Sequence, residues 1–253
     1  NDFPLFDSSN PTETLNINQE KLLTLFNKTH FSMAQQDVRF YLNGLLLETE
    51  PKRLKAIATD GHRLAASEMA IEKKQLNTTA SIVPRKAIQE LIRLLDNKED
   101  VKAEIGSNSI SFKFNNLSFI SKLIDGKFPD YNRVIPTNTE INIQLNSLVL
   151  KPSLQRVSIL ANEKFKGIRL ETTGDSLDLS SVNPEQEEAN ETISLQEKVK
   201  KIVVGFNVSY LIDAVSSCEG NTVCLSLNDE NSSALITSPE DKDTKYVVMP
   251  MRL

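Results

Sequence analysis

Gly44-Leu45-Leu46-Leu47-Glu48-Thr49 and Gly167-Ile168-Arg169-Leu170-Glu171-Thr172 are one pattern written twice, 123 residues apart. A glycine opens each stretch, apolar residues run through it and Glu-Thr closes it. Working outward, Ile88-Gln89-Glu90-Leu91-Ile92 returns as Leu211-Ile212-Asp213-Ala214-Val215 at the same offset of 123. Leu15-Asn16-Ile17 returns as Ile141-Asn142-Ile143 at 126, and Phe3-Pro4 as Phe128-Pro129 at 125. An offset held across such gaps identifies two copies of one domain. The Phe-Pro element marks the junction between copies, yet it also stands at residue 3 of a chain without an initiator Met. That predicts an earlier copy before the chain. The expected organisation is a linker over residues 1–13 and two domains, 14–130 and 131–253.

Each copy has room for its own core, because 253 residues make two domains of ordinary size. With 39% hydrophobic and 25% charged residues, the composition is that of a soluble globular protein. No apolar run reaches the roughly 18–20 residues of a membrane span, and the N-terminus lacks the basic-then-apolar order of a signal peptide. Cys218 and Cys224 are too few for a disulfide framework or a zinc site and are expected as reduced core residues. The expected compartment is the cytoplasm. A net charge of −5 excludes a generally basic nucleic-acid binder, so any such contact needs a local positive surface.

Hydrophobic spacing predicts two helices and several strands per copy. Leu22, Leu23, Leu25 and Phe26 form one apolar helix face. Ile88, Leu91, Ile92 and Leu95 keep the i, i+3, i+4, i+7 rhythm after Pro84, a residue tolerated at a helix start. Val149–Leu160 and Val208–Cys218 take the equivalent slots in the second copy. Leu54, Ala56 and Ala58 alternate with Lys55 and Ile57, and Ile110, Phe112 and Phe114 with Ser111 and Lys113, as half-buried strands do. Turns are expected at Gly106-Ser107-Asn108, Asn115-Asn116 and Gly174-Asp175. Pro184–Glu191 reads as a solvated loop or strand edge, and Lys198, Lys200 and Lys201 as a solvated turn. The fold class is α+β, tandem domains each with two helices packed on antiparallel sheets.

Catalytic motifs are lacking. The sequence contains no phosphate-binding glycine loop, no GxSxG and no HExxH, and His30 and His62 are its two histidines. Asp60-Gly61-His62 could serve as an acid–base pair, but with no nucleophile nearby it reads as a turn leading into a strand. No metal or cofactor is expected. Two segments stand apart from ordinary scaffold: Ala58-Thr59-Asp60-Gly61-His62-Arg63-Leu64-Ala65 and the terminal Tyr246-Val247-Val248-Met249-Pro250-Met251-Arg252-Leu253. An apolar terminus with two methionines is either docked in the core or lines an adaptable groove.

These segments resemble the bacterial sliding clamp, the beta subunit of the replicative DNA polymerase. Phe31-Ser32-Met33-Ala34, Asp37-Val38-Arg39, Asp125-Gly126-Lys127-Phe128-Pro129-Asp130-Tyr131, Asn162-Glu163-Lys164-Phe165, Asn183-Pro184-Glu185-Gln186-Glu187-Glu188 and Gly205-Phe206-Asn207-Val208-Ser209-Tyr210 carry the likeness along the whole chain. The resemblance implies the second and third of three such domains, in a family whose full-length homodimer closes head-to-tail around duplex DNA and does no covalent chemistry. Without the first domain, this chain is expected to be a monomer, or at most to make a weak non-ring contact, with Ile159 and Leu160 partly exposed.

By the same resemblance, Gln35, Gln36, Arg39 and Tyr41, on the loop and strand after the first helix, are expected DNA contacts. Arg85, Lys86, Lys151 and Arg156 add a weakly basic helix surface, alongside Lys21, Lys28 and Arg93. Short apolar motifs of the polymerase III catalytic subunit, the clamp loader and repair proteins are expected to dock at Leu42, Thr59, Gly61, His62, Arg63, Leu64, Pro129, Arg133, Val134, Phe165, Asn207, Tyr210, Ser233, Val247, Val248, Met249, Pro250, Met251, Arg252 and Leu253. Leu64, Val134, Val247, Val248 and Met249 would offer apolar surface. Arg63, Arg133, Asn207 and Arg252 would fix a peptide backbone or glutamine. Val247 and Val248 read equally well as edge-strand core. Two rival classes remain: a hydrolase built on Asp60 and His62, and a two-domain scaffold with no DNA role. Loss of turnover on changing either residue would favour the first. A terminus insensitive to truncation would favour the second.

Overall fold

The computed structural model describes residues 11–72, 78–96 and 99–252. The expectations for Phe3-Pro4, most of the 1–13 linker and Leu253 fall outside those residues. The chain divides into two compact units: residues up to 61 with 66–129, and residues 62–65 with those from 130 onward.

In the first unit, β1 (Glu13–Asn18) turns Leu15 and Ile17 inward and ends on an asparagine. The Asn18 side chain accepts the Lys21 amide at 3.2 Å, an N-cap that starts α1 (Gln19–Asn27). The loop that follows leads to β2 (Gly44–Glu50), β3 (Arg53–Thr59), β4 (Arg63–Ala70) and β5 (Thr79–Pro84). Pro84 then sets the entry to α2 (Arg85–Leu94), and β6 (Asp100–Ile105), β7 (Ser109–Phe114) and β8 (Leu117–Lys122) complete the unit. One sheet has the order β1-β6-β7-β8; the other places β5, β2, β3 and β4 side by side. Leu22 and Phe26 of α1 and Ile88 and Leu91 of α2 join the inward residues of both sheets in one core. On the outer side of the first sheet, Glu104 lies between Lys102 and Lys113 at 2.7 Å each. Hydrogen bonds from these two ammonium groups hold its carboxyl down to about 2.

The second unit repeats the opening. β9 (Ile141–Asn146) ends on Asn146, whose side chain accepts the Leu148 amide at 2.9 Å and caps α3 (Ser147–Ser158). β10 (Gly167–Val182) and β11 (Glu188–Asn207) form a long antiparallel pair. Asn207 caps α4 (Val208–Ser217) through the Ser209 amide, 2.9 Å away. β12 (Thr222–Leu227), β13 (Ala234–Ser238) and β14 (Asp241–Val248) follow, with β14, β13, β12 and β9 adjacent in that order. Leu150, Leu154 and Val157 of α3 and Leu211, Ala214 and Val215 of α4 are buried. So are Ile168, Leu170, Val204 and Phe206 of the strand pair. Both units are therefore α+β, with two helices on antiparallel sheets.

Several local expectations are corrected. Gly174-Asp175 is no turn: β10 continues through it, and the register shifts on both sides of Gly174 absorb the irregularity as a bulge. Glycine suits the spot because its φ is 83°. Lys198, Lys200 and Lys201 lie within β11 rather than in a turn, and Lys201 pairs with Glu171 at 3.1 Å. Pro184–Glu191, in contrast, is the solvated loop and strand edge that was expected, its last four residues opening β11. Ile57 is 1% exposed, so β3 buries both of its faces at that point. Cys218 and Cys224 are half-buried thiols outside any disulfide rather than core residues. Tyr41 lies in a 3-10 turn, Phe40–Leu42, not in a strand.

Candidate functional site

In the first unit, the loop before β2 is fastened at its base by Asn43. Its side chain accepts the Asp37 amide at 2.9 Å and donates to the Asp37 carbonyl at 2.8 Å. Above that base, Gln35, Gln36 and Arg39 are exposed and Tyr41 half-buried. Arg39 is held by the Asp37 carboxylate, through Nε at 3.0 Å and Nη2 at 2.8 Å, and Nη2 also reaches the Asp60 carbonyl at 3.2 Å. A Cβ at Gly61 would meet this guanidinium at 2.9 Å, and φ is +90° there, so both space and backbone select glycine. The Gly61 amide donates to Thr59 Oγ1 at 3.1 Å, closing the turn that Asp60-Gly61-His62 was expected to make.

Sequence reading missed two residues of this loop. Val38 is 87% exposed and Phe40 72%. The available signal was a pair of apolar residues flanking Arg39 in a polar stretch. Leu42, expected at the peptide site, is instead core at 2% exposure, because it lies at the buried end of the 3-10 turn. Thr59 is also buried, and Pro129 is exposed.

The proposed basic helix surface differs residue by residue. Lys86 is exposed on α2. Its neighbour Arg85 turns back and donates to the Met33 carbonyl at 2.8 Å. Lys151 is half-buried on α3, and Arg156 makes a two-pronged pair with Glu191 at 2.7 Å on each prong. Arg39 and Arg156 thus carry charges that carboxylates already offset.

The second unit gathers more of the expected peptide contacts. Residues 62–65 belong to it, and the terminal segment runs beside them. The Met249 amide donates to the His62 carbonyl at 2.9 Å, and the Met251 amide to the Gly205 carbonyl at 2.9 Å. Met251 lies against Gly167, where a Cβ would come within 3.3 Å of its sulfur. His62 and Arg252 are exposed, Met249 is 37% exposed, and Pro250 and Met251 are half-buried. Arg63 stacks on Tyr210, its guanidinium carbon 4.4 Å from the ring centre, and pairs with Asp213 at 2.5 Å.

Leu64, Val247 and Val248 do not supply apolar surface. They are 3%, 1% and 1% exposed, being inward residues of β4 and β14. The exposed apolar groups of this unit include Met249 and Phe165, the latter at 58%. Val134 and Ser233 are half-buried. Arg133 is exposed and pairs with Asp130 at 2.9 Å. Asn207 uses its side-chain oxygen as the α4 cap, and its amide reaches the Phe165 carbonyl at 3.4 Å. Asp213 was not among the expected contacts; its i, i+3 position after Tyr210 on an amphipathic helix was the signal.

The chain matches the family model of the DNA polymerase III beta subunit central domain over residues 16–130, and that of its C-terminal domain over 132–252. It is 45% identical over 254 residues to the beta sliding clamp of Pseudomonas putida, covering 100% of this chain and 69% of that protein. The Escherichia coli K12 beta sliding clamp is 42% identical over 253 residues, with the same 100% and 69% coverage. A crystal structure of the Pseudomonas aeruginosa DNA polymerase III subunit beta superimposes with a TM-score of 0.97 at 42% identity, again covering 100% of this chain and 69% of the other. The family is a non-enzymatic processivity factor of DNA replication, which removes the hydrolase alternative. The chain belongs to the DNA polymerase III beta subunit family, the beta sliding clamps.

Proposed function

We propose that the chain provides the partner-docking surface of a cytoplasmic sliding clamp, with domain boundaries at 14–130 and 131–253. The full-length homodimer encircles duplex DNA. Its docking surface receives short apolar motifs of the polymerase III catalytic subunit, the clamp loader and other replication and repair proteins. One observation carries this reading. The terminal backbone is fixed at alternate residues by the Met249 and Met251 amides, while Met249 and Arg252 face solvent. A fixed backbone with exposed, adaptable side chains is pre-organised for binding, so little ordering cost is left to the encounter. The direct test is calorimetric titration with an extended peptide carrying two large apolar residues. Saturable binding at micromolar concentration is expected, and no heat up to millimolar peptide would overturn the reading.

DNA contact is proposed to be loose and independent of sequence. The net charge is −5, and Arg39 and Arg156 are already paired with carboxylates. Binding of a DNA duplex should therefore be weak and should vanish as salt rises from roughly 50 to 200 mM. Exposed Lys86 should matter more than Arg156, and Lys86→Ala should weaken all duplex sequences by the same factor. A marked preference for one sequence would contradict sliding.

A polypeptide of residues 1–253 is proposed to be monomeric, since the family's ring joins the first domain of one chain to the third of another. Ile159, at the C-terminal end of α3, is 77% exposed, and Leu160 is half-buried. Light scattering at micromolar concentration should give the monomer mass; a stable closed dimer would oppose this.

A further inference from the structure

Asn43 is the one asparagine of the chain that precedes a glycine. Asn-Gly is prone to losing its side-chain amide, because the glycine nitrogen is unhindered and can attack the neighbouring side-chain carbon. Packing nevertheless demands both residues. A Cβ at Gly44 would meet the Val83 carbonyl at 2.7 Å, Ile82 Cγ2 at 2.8 Å and Ile124 Cδ1 at 2.9 Å, so no larger residue fits. Asn43 must both accept and donate. Its Oδ1 takes the Asp37 amide at 2.9 Å, and its Nδ2 donates to the Asp37 carbonyl at 2.8 Å. A backbone amide only donates and a carbonyl only accepts, so the side-chain orientation is settled and a carboxylate cannot replace it. The main chain is engaged as well. The Asn43 amide donates to the Phe40 carbonyl at 3.0 Å, and the Asn43 carbonyl accepts the Arg85 amide at 3.0 Å.

We infer that Asn43-Gly44 is a deamidation site that the fold keeps closed, and that its modification unfastens the loop over residues 37–42. The Gly44 nitrogen attacks Asn43 Cγ. A C–N bond forms, the Cγ–Nδ2 bond breaks, and Nδ2 leaves as ammonia with the proton of the Gly44 nitrogen. Water then opens the five-membered imide at either carbonyl, giving aspartate or isoaspartate. In the folded chain, the attack requires Asn43 to release both bonds to Asp37. It must also leave its place at the end of the Phe40–Leu42 turn, where φ is −79° and ψ 18°. The reaction therefore runs through local opening of the loop. Aspartate sets a carboxylate oxygen against the Asp37 carbonyl, where the amide donated. Isoaspartate lengthens the main chain by one carbon where β2 begins, at the pairing of Gly44 with Pro84. Either product releases a loop that carries exposed Val38, Arg39 and Phe40. The chain cannot remake the amide, so each opening that reacts leaves a permanent charge at the loop's base.

The test has two arms. In the first, the 253-residue chain is incubated in mildly alkaline buffer, folded or unfolded in urea, and then digested with trypsin. The tryptic peptide over residues 40–52 contains no asparagine but Asn43, so its mass reads this site alone. Conversion of amide to acid should be slower in the folded chain by roughly thirtyfold or more, the factor set by two hydrogen bonds that must open first. Equal rates, or no conversion in urea, would overturn the inference. The second arm uses Asn43→Asp, which supplies one product directly. Brief exposure of the folded variant to trypsin should cut it after Arg39 roughly tenfold or more faster than the parent. Cutting after exposed Lys164 in the second unit should be unchanged. An unchanged rate at Arg39 would show that the amide does not fasten the loop, and the inference would fall. Loss of the whole fold in Asn43→Asp, read by circular dichroism, would also sink it, because the effect would not be confined to the loop.

Discussion

Deleting Met249 to Leu253 should weaken binding of an apolar clamp motif by about 2 kcal/mol or more, roughly thirtyfold, while the chain stays folded. Two features separate binding from folding here. The side chains removed are those that face solvent: Met249 is 37% exposed, Arg252 exposed and Met251 half-buried. The residues that hold the strand lie just before them, since Tyr246, Val247 and Val248 are 2%, 1% and 1% exposed and remain. The fold loses the Met249 bond to His62 and the Met251 bond to Gly205, each worth about 1 kcal/mol net. It also loses the contact of the Met251 sulfur with Gly167. The peptide loses its largest adaptable apolar group and an arginine. Calorimetry on the shortened and complete chains, with urea unfolding of both, checks the two halves of the claim. Equal affinity before and after shortening would refute the docking surface.

The repeat was legible because its strongest signals are local. The glycine-led apolar stretches at Gly44 and Gly167 and the helical rhythm at Ile88 and Leu211 depend on nearest-neighbour geometry, and they form β2 and β10, and α2 and α4. The asparagine that closes each strand and caps the next helix, at Asn18, Asn146 and Asn207, is equally local. Gly174-Asp175 misled for a physical reason. Glycine with a polar neighbour suits a turn and a bulge equally, and only pairing with a distant partner strand decides between them. At the site, the sequence identified the Thr59–Leu64 turn and the terminal segment, but not which side chains face outward. Leu64 read as apolar surface, and Val247 and Val248 as either surface or strand core; all three are inward residues whose burial depends on neighbouring strands. Likewise Arg39 and Arg156 read as open positive charge, while Asp37 and Glu191 stand opposite them. Glu191 lies 35 positions from Arg156, beyond the reach of periodicity. Val38 and Phe40 were missed because an exposed apolar residue breaks the pattern that sequence reading relies on.

Phe206→Ala should be among the most damaging single changes in the second unit, costing about 3–5 kcal/mol. Phe206 is 0% exposed. Along β10 and β11, the pairs Ile168 with Phe206, Leu170 with Val204 and Thr172 with Ile202 alternate inward and are all buried. Loss of the ring leaves a void at the end of that buried row, beside the start of α4, and strands bonded in register cannot close around it. A domain of this size has about 5–15 kcal/mol of stability in all, so the variant should sit near its unfolding threshold at 37 °C. The position also ties core to function. The next residue, Asn207, caps α4, and α4 carries Tyr210 and Asp213, which hold Arg63. Peptide binding should therefore fall together with stability in Phe206→Ala, whereas removing the terminal segment should lower binding with a smaller loss of stability. Urea unfolding followed by circular dichroism, with peptide titration below the transition, distinguishes the two. A Phe206→Ala chain as stable as the parent would show that the β10–β11 pair does not carry the second unit's core.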